Sequence, residues 1–213
     1  MARSSIVAFA LALALAGCGG GANDQSASDT GKAREAERGA TARLPAGGEV
    51  PEPRITDLDP AARAAKCEQQ SSRARSRDHT ASLYEQIDYD TNPPTTGRHF
   101  HAAAEDGMYE EAAHDSAIVH SLEHGRVVIW LKPTLPAKAR AGLRALVEQD
   151  SHQILIIPRS EMPFDVAATA WNSSPGPAGT GRLLGCPSFS PGVYDGLRTF
   201  RDEHRAHGPE VAP

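Results

Sequence analysis

The chain has 213 residues, a formal net charge of −5 at pH 7 and 39% hydrophobic residues. That mildly acidic balance would repel phosphate backbones and anionic lipid headgroups, which excludes nucleic acid and a polybasic membrane patch as binding modes. Beyond the N-terminal leader, no apolar run approaches the roughly 18 residues that a membrane-spanning helix needs.

The start reads as an export signal. Arg3 precedes an apolar run from Ile6 to Ala16, which ends in Leu15-Ala16-Gly17-Cys18. A basic start, an apolar stretch and small residues before a cleavage point make a secretory leader. Small residues directly before a Cys are also the pattern of a bacterial lipobox, which predicts cleavage before Cys18 and a diacylglyceryl thioether on its sulfur. A transmembrane anchor is the alternative, but residues 6–16 reach only about 16 Å against a hydrocarbon core of roughly 30 Å. Loss of residues 1–17 would remove Arg3 and move the formal charge from −5 to −6. The mature chain is therefore expected at the extracytoplasmic face of the cell membrane, attached to it by the lipid on Cys18.

Assigning Cys18 to the lipid leaves Cys67 and Cys186, an even pair in an oxidising compartment, and a Cys67–Cys186 disulfide is predicted. Two separate buried thiols are the alternative. A redox pair is disfavoured because there is no Cys-x-x-Cys spacing.

Residues 18–59, from the lipidated Cys onward, are rich in Gly, Ala, Ser, Thr, Pro and charge. Beyond Ala, the only aliphatics there are Leu44, Val50, Ile55 and Leu58. Such a composition buries too little apolar area to offset backbone ordering, so a disordered tether is expected. A single globular domain is expected over 60–213. Asp59-Pro60 opens a helix, with Asp as N-cap and Pro in the first position, and the Ala-, Gln- and Arg-rich stretch that follows extends it past Cys67. Arg73, Arg75 and Arg77 would form a solvated face of that helix. Leu83, Ile87 and Tyr89 suggest a short strand, and His101 to Asp115 a loop anchored at Gly107-Met108-Tyr109.

Asp115 to Gly125 reads as a short helix with Asp115 as N-cap and Gly125 as its stop, a strand over 117–120 being the alternative. Val127–Leu131 and Ile154–Ile157 are continuous apolar runs, and Ala137–Gln149 between them has helical periodicity through Leu143, Leu146 and Val147. Two buried strands joined by a helix form a βαβ unit with parallel strands. Val166–Trp171 is a third strand, Ser173 to Gly181 a Pro/Gly-rich loop, and Tyr194–His204 a closing helix. The fold class is α/β or α+β, with a small mixed sheet.

Five of the nine histidines fall between Asn92 and Trp130: His99, His101, His114, His120 and His124. His120-Ser121-Leu122-Glu123-His124 has the His-x-x-Glu-His order of the inverted zinc peptidases, in which two imidazoles on one helix face hold zinc and the Glu is general base. Glu148, Glu161 and Glu203 are candidate third ligands under that reading. The structural alternative is that Glu123 and a histidine form an internal hydrogen-bonded pair at the entry to the first apolar strand. In Thr95-Thr96-Gly97-Arg98-His99-Phe100-His101, His99 and His101 share a face if the segment is extended. Together with His120 and His124 they would make a three- or four-nitrogen site suited to Zn or Cu(II). A rigid surface turn whose histidines cap backbone groups is the plainer alternative. His152, His204, His207, Tyr109 and Trp171 read as incidental or core residues. No Gly-x-Ser-x-Gly elbow and no Gly-rich phosphate loop before a helix occurs.

Tyr89–Phe100 (YDTNPPTTGRHF), Gly107–Tyr109, Val119–Trp130 (VHSLEHGRVVIW) and Ala168–Trp171 together resemble the bacterial domain-of-unknown-function family 3105. An upstream Cys, here Cys67, and a Pro-Glu ending, here Pro209-Glu210, fit the same pattern. Thr96-Gly97-Arg98-His99 stands where the family favours Ser-Gly-Pro-His, so Arg98 places a charge beside His99. The resemblance implies an exported or membrane-anchored protein without an established activity, with His99, His120, Glu123 and His124 as its family-like polar residues.

The leading expectation is an envelope-anchored lipoprotein whose site of His99, His120 and His124, with His101 as a further candidate, binds a metal ion or small polar ligand without turnover. A metal-dependent hydrolase with Glu123 as base and a metal-free scaffold for envelope proteins are the alternatives.

Overall fold

A computed structural model describes residues 47–210. The expected signal peptide, Cys18 and most of the expected tether lie outside the described residues. The described part of that stretch, 47–57, has no helix or strand and runs across the domain. Val50 packs on the core, and the Arg198 guanidinium donates to the Pro51 carbonyl at 2.7 Å.

The elements in order are α1 (Leu58–Ala65), β1 (Glu68–Arg73), β2 (His79–Thr80), β3 (His99–Phe100), β4 (Gly107–Met108), α2 (Asp115–Glu123), β5 (Val127–Leu131), α3 (Ala137–Gln149), β6 (Ile154–Pro158), β7 (Val166–Asn172), β8 (Thr180–Cys186) and α4 (Val193–His204). Six strands form a mixed sheet in the order β1-β8-β7-β5-β6-β4, and β2 and β3 form a separate parallel pair. The expected βαβ unit is present, with β5 and β6 parallel and α3 between them. β7 runs antiparallel to β5. The class is therefore mixed α/β.

Both faces of the sheet are covered, which is why β5 and β6 read as unbroken apolar runs rather than as alternating ones. Val127, Ile129 and Leu131 point to a face packed by α1, α3 and α4 through Ala62, Leu143, Leu197 and Phe200. Val128 and Trp130 point to the opposite face, covered by Ile118, Val119 and Leu122 of α2, by Phe100 of β3 and by Leu83 and Tyr109 from irregular chain. The indole N–H of Trp130 is satisfied there by Thr169 Oγ1 at 2.8 Å.

Several local expectations are corrected. The first helix stops at Ala65, where Lys66 turns left-handed with φ 56°, and Cys67 then leads into β1 instead of sitting mid-helix. β1 is an exposed edge strand antiparallel to β8, so Arg73 ends a strand and Arg75 and Arg77 follow it. Its residues EQQSSR favour a helix locally, and pairing with β8 overrides that preference. The Cys67–Cys186 disulfide ties the start of β1 to the end of β8 across 119 residues of chain. Residues 83–89 form no strand. Gly107–Met108, expected as a loop anchor, adds a short parallel strand to β6. The cap of α2 is His114, not Asp115, whose carboxylate instead accepts from Arg159 at 2.6 Å.

Candidate functional site

The site lies where α2 crosses β3. Gly97 holds a φ of 129°, a conformation that side-chain-bearing residues avoid, and this turn delivers His99 into the two-residue strand β3. β3 is in register with β2, His79 opposite His99, so an otherwise exposed polar segment brings a second imidazole to the same place. From the helix side come His120 and Glu123, which are buried. Gly125 ends α2 with φ 84°; a Cβ there would come within 3.0 Å of Ala206 and Gly208 of the C-terminal segment. That segment is held against the end of α2 by hydrogen bonds from Ala206 N to Gly125 O at 2.8 Å and from Glu210 N to Glu123 O at 3.0 Å.

His79, His99, His120 and Glu123 each offer one ligand-capable atom, and those atoms all lie within 4.8 Å of one another. His99 Nε2 is 2.9 Å and His79 Nε2 3.6 Å from Glu123 Oε2. The His79 and His120 rings stack at 4.9 Å, the His99 ring meets both edge-on, and Trp171 stands edge-on to His99 at 5.7 Å. The other carboxylate oxygen of Glu123 accepts from Arg77 Nε at 2.6 Å.

Hydrogen-bond accounting fixes the protons. The Phe100 carbonyl, 2.7 Å from His120 Nδ1, can only accept, so Nδ1 carries the hydrogen and Nε2 presents a lone pair. Burial, reinforced by the neighbouring imidazoles and opposed by the Phe100 hydrogen bond, pushes the His120 pKa down to about 4, and the ring is neutral at pH 7. His99 stands between two acceptors, the Gly97 carbonyl at 2.7 Å and Glu123 Oε2 at 2.9 Å. A neutral ring has a single N–H, so in either tautomer one lone pair would face an oxygen. The arrangement calls for a cation at this point, either a second proton on His99 or a metal ion. Glu123 loses solvation on burial, which favours its neutral form, yet hydrogen bonds from His99 and Arg77 outweigh that and hold its pKa at about 2.

Of the residues picked out by sequence, His99, His120 and Glu123 come together. His124 stands just outside the four-residue group, with Nε2 2.9 Å from His120 Nε2. Burial, partly offset by Glu210, lowers its pKa. His101 turns away because β3 ends at Phe100 and the alternation stops there; its Nδ1 faces the Thr80 carbonyl at 3.4 Å. His114 packs against Tyr84. Among the described residues, Glu148, Glu161 and Glu203 belong to no metal-competent group, and Glu148 pairs with Arg144 on the surface of α3. Sequence reasoning missed His79 and Arg77, whose polar surroundings give no signal; only β2–β3 pairing places His79.

Fold and site together define a mixed α/β domain with a cluster of three histidines and one carboxylate at the end of a helix, all buried but His79. Residues 80–178, just under half of the chain, match the model of the family described as "Protein of unknown function (DUF3105)", and over this stretch the chain is similar to that family. The matched stretch contains His99, His120, Glu123 and His124 but begins one residue after His79. No curated protein and no solved structure matches the chain.

Proposed function

We propose that this chain is an envelope lipoprotein, anchored through Cys18 at the extracytoplasmic face of the membrane, whose domain binds one divalent transition-metal ion on His79, His99, His120 and Glu123. The observation that carries this reading is that the Nδ1 atoms of His99 and His120 both meet backbone carbonyls while their Nε2 atoms converge. Metal-ligating histidines are oriented in this way, the outer N–H held by a carbonyl or carboxylate and the inner nitrogen left for the ion. Three imidazoles and a carboxylate suit Zn or Cu(II). Tetrahedral bonds of 2.0–2.2 Å put ligand atoms roughly 3.4 Å apart, so the cluster must contract, and the partly exposed His79 is free to supply that movement. Four protein ligands make a closed site, which favours holding the ion over turning over a substrate.

The peptidase alternative has less support. It needs Glu123 off the metal as a base, whereas Glu123 is turned into the cluster, held by Arg77 and weakly basic at a pKa of about 2. Among the described residues no helix is long and apolar enough to cross a membrane.

Two measurements test the reading. Metal content by mass spectrometry should give one equivalent of Zn or Cu, lost in His99→Ala and His120→Ala; no metal in the unchanged chain after reconstitution supports the metal-free scaffold instead. Detergent-phase partitioning of the expressed protein should be abolished by Cys18→Ser, and unchanged partitioning would refute the lipid anchor.

A further inference from the structure

The mouth of the cluster is formed by the side chains of Arg77, His79 and His124, and the carboxylate of Glu210 lies between Arg77 and His124. Arg126 Nη1 approaches His124 Nδ1 at 3.4 Å, and since a guanidinium only donates, His124 Nδ1 accepts and its hydrogen is on Nε2. That N–H serves His120 Nε2 at 2.9 Å and is also 3.7 Å from Glu210 Oε1. The other oxygen of Glu210 is 3.8 Å from Arg77 Nη2. Both separations are too long for hydrogen bonds, and the Glu210 side chain is 45% exposed, so its backbone is fixed while its carboxylate is held loosely. His79, 43% exposed, completes the opening.

From this arrangement we infer that the mouth is a seat for a carboxylate ligand, spanning Arg77 and His124, and that Glu210 is an internal occupant which an incoming carboxylate displaces. The inference rests on the metal reading for its strength but not for its geometry. Once an ion takes the lone pair of His120 Nε2, the His124 N–H loses its acceptor and is freed to donate outward. The charge count moves the same way. Arg77 and Arg126 are balanced by Glu123 and Asp106, so a divalent ion leaves the mouth with positive charge beyond what Glu210 offsets. One further anion is then accommodated. A carboxylate bridging two donors uses both of its oxygens, as Glu210 does now at longer range.

The test is an NMR titration of the histidine ring resonances of the full chain with sodium acetate, in the metal-free and the zinc-loaded forms, for the unchanged protein and for Glu210→Gln. Loss of a loosely held internal competitor should tighten acetate binding about two- to fivefold in both forms, the range expected for exposed ion pairs. The zinc-loaded form should bind acetate more tightly than the metal-free form. Sodium phosphate shifting the same resonances more strongly than acetate would make the seat one for oxyanions in general and overturn its assignment to carboxylates. Equal affinity of the unchanged protein and Glu210→Gln in both forms would overturn the inference. If zinc does not bind at all, the metal reading fails by itself, and the metal-free comparison still decides whether Glu210 occupies the seat.

Discussion

The two faces of the central sheet are built on different principles. One is closed by α1, α3 and α4 with an apolar cluster from Leu58 to Phe200, nearly all of it from regular elements. The other is closed by α2 and by two-residue strands and turns between His79 and Tyr109, and it keeps His99, Glu123 and His120 buried beside Trp171. The first face is held by apolar burial, which does not depend on what the protein binds. The second holds polar groups whose protonation and partners are set by one another, so under the metal proposal its stability would respond to the ion.

Without metal, the largest expected effect belongs to the first face and its staple. Cys186→Ser should cost about 4 kcal/mol in denaturant unfolding, because the bond closes a loop of 119 residues and Cys186 sits in the apolar cluster. A cost under about 1 kcal/mol would mean that β1 is not held by this link. Leu143→Ala, at a fully buried position on α3, should cost about 3 kcal/mol, the same with or without zinc. Glu123→Gln sharpens the contrast. It should cost about 2 kcal/mol without metal, since Arg77 loses its charge partner, and about 2.7 kcal/mol more at zinc concentrations 100-fold above the dissociation constant. An equal cost in both conditions would erase the distinction between the faces.

Acid acts on the apolar face through His204 with the same sign as at His120 in the site. Burial pushes the His204 pKa down to about 4, with the charges of Arg182 and His207 acting in the same direction. The folded state binds fewer protons than the unfolded chain between pH 6.5 and about 4, so this contribution is full above 6.5 and is lost as pH falls through that window. His204→Phe, on the apolar face beside Phe200, should retain about 2 kcal/mol more stability at pH 5, relative to pH 7.5, than the unchanged protein does. The smallest effect is that of Glu210→Gln on stability, under about 1 kcal/mol for a half-exposed side chain with long ion pairs.

How much was legible follows the same division. α3, β5, β6 and their parallel pairing are readable because period and apolar content are local, and Gly125 marks the end of α2 by its own backbone requirement. β8 is hidden by its glycines and the Pro/Gly-rich loop before it, and β1 by a helix-favouring polar sequence that becomes a strand only against β8. In the site, His99, His120 and Glu123 are readable from their clustering in sequence. His79 and Arg77 are not, because pairing of β2 with β3 brings in a polar segment from 20 residues upstream of His99. His101 is misplaced for the converse reason, since an extended segment of two residues is too short for alternation to apply.

The most direct test of the account is a zinc titration against a chromophoric chelator, comparing His79→Ala with His124→Ala. His79→Ala is expected to weaken zinc binding by tenfold or more, whereas His124→Ala should leave it within about threefold, because the proposal makes His79 a ligand and leaves His124 outside the four-residue group. Retention of tight zinc binding in His79→Ala with its loss in His124→Ala would contradict the account and restore the His120–His124 pair as the metal site.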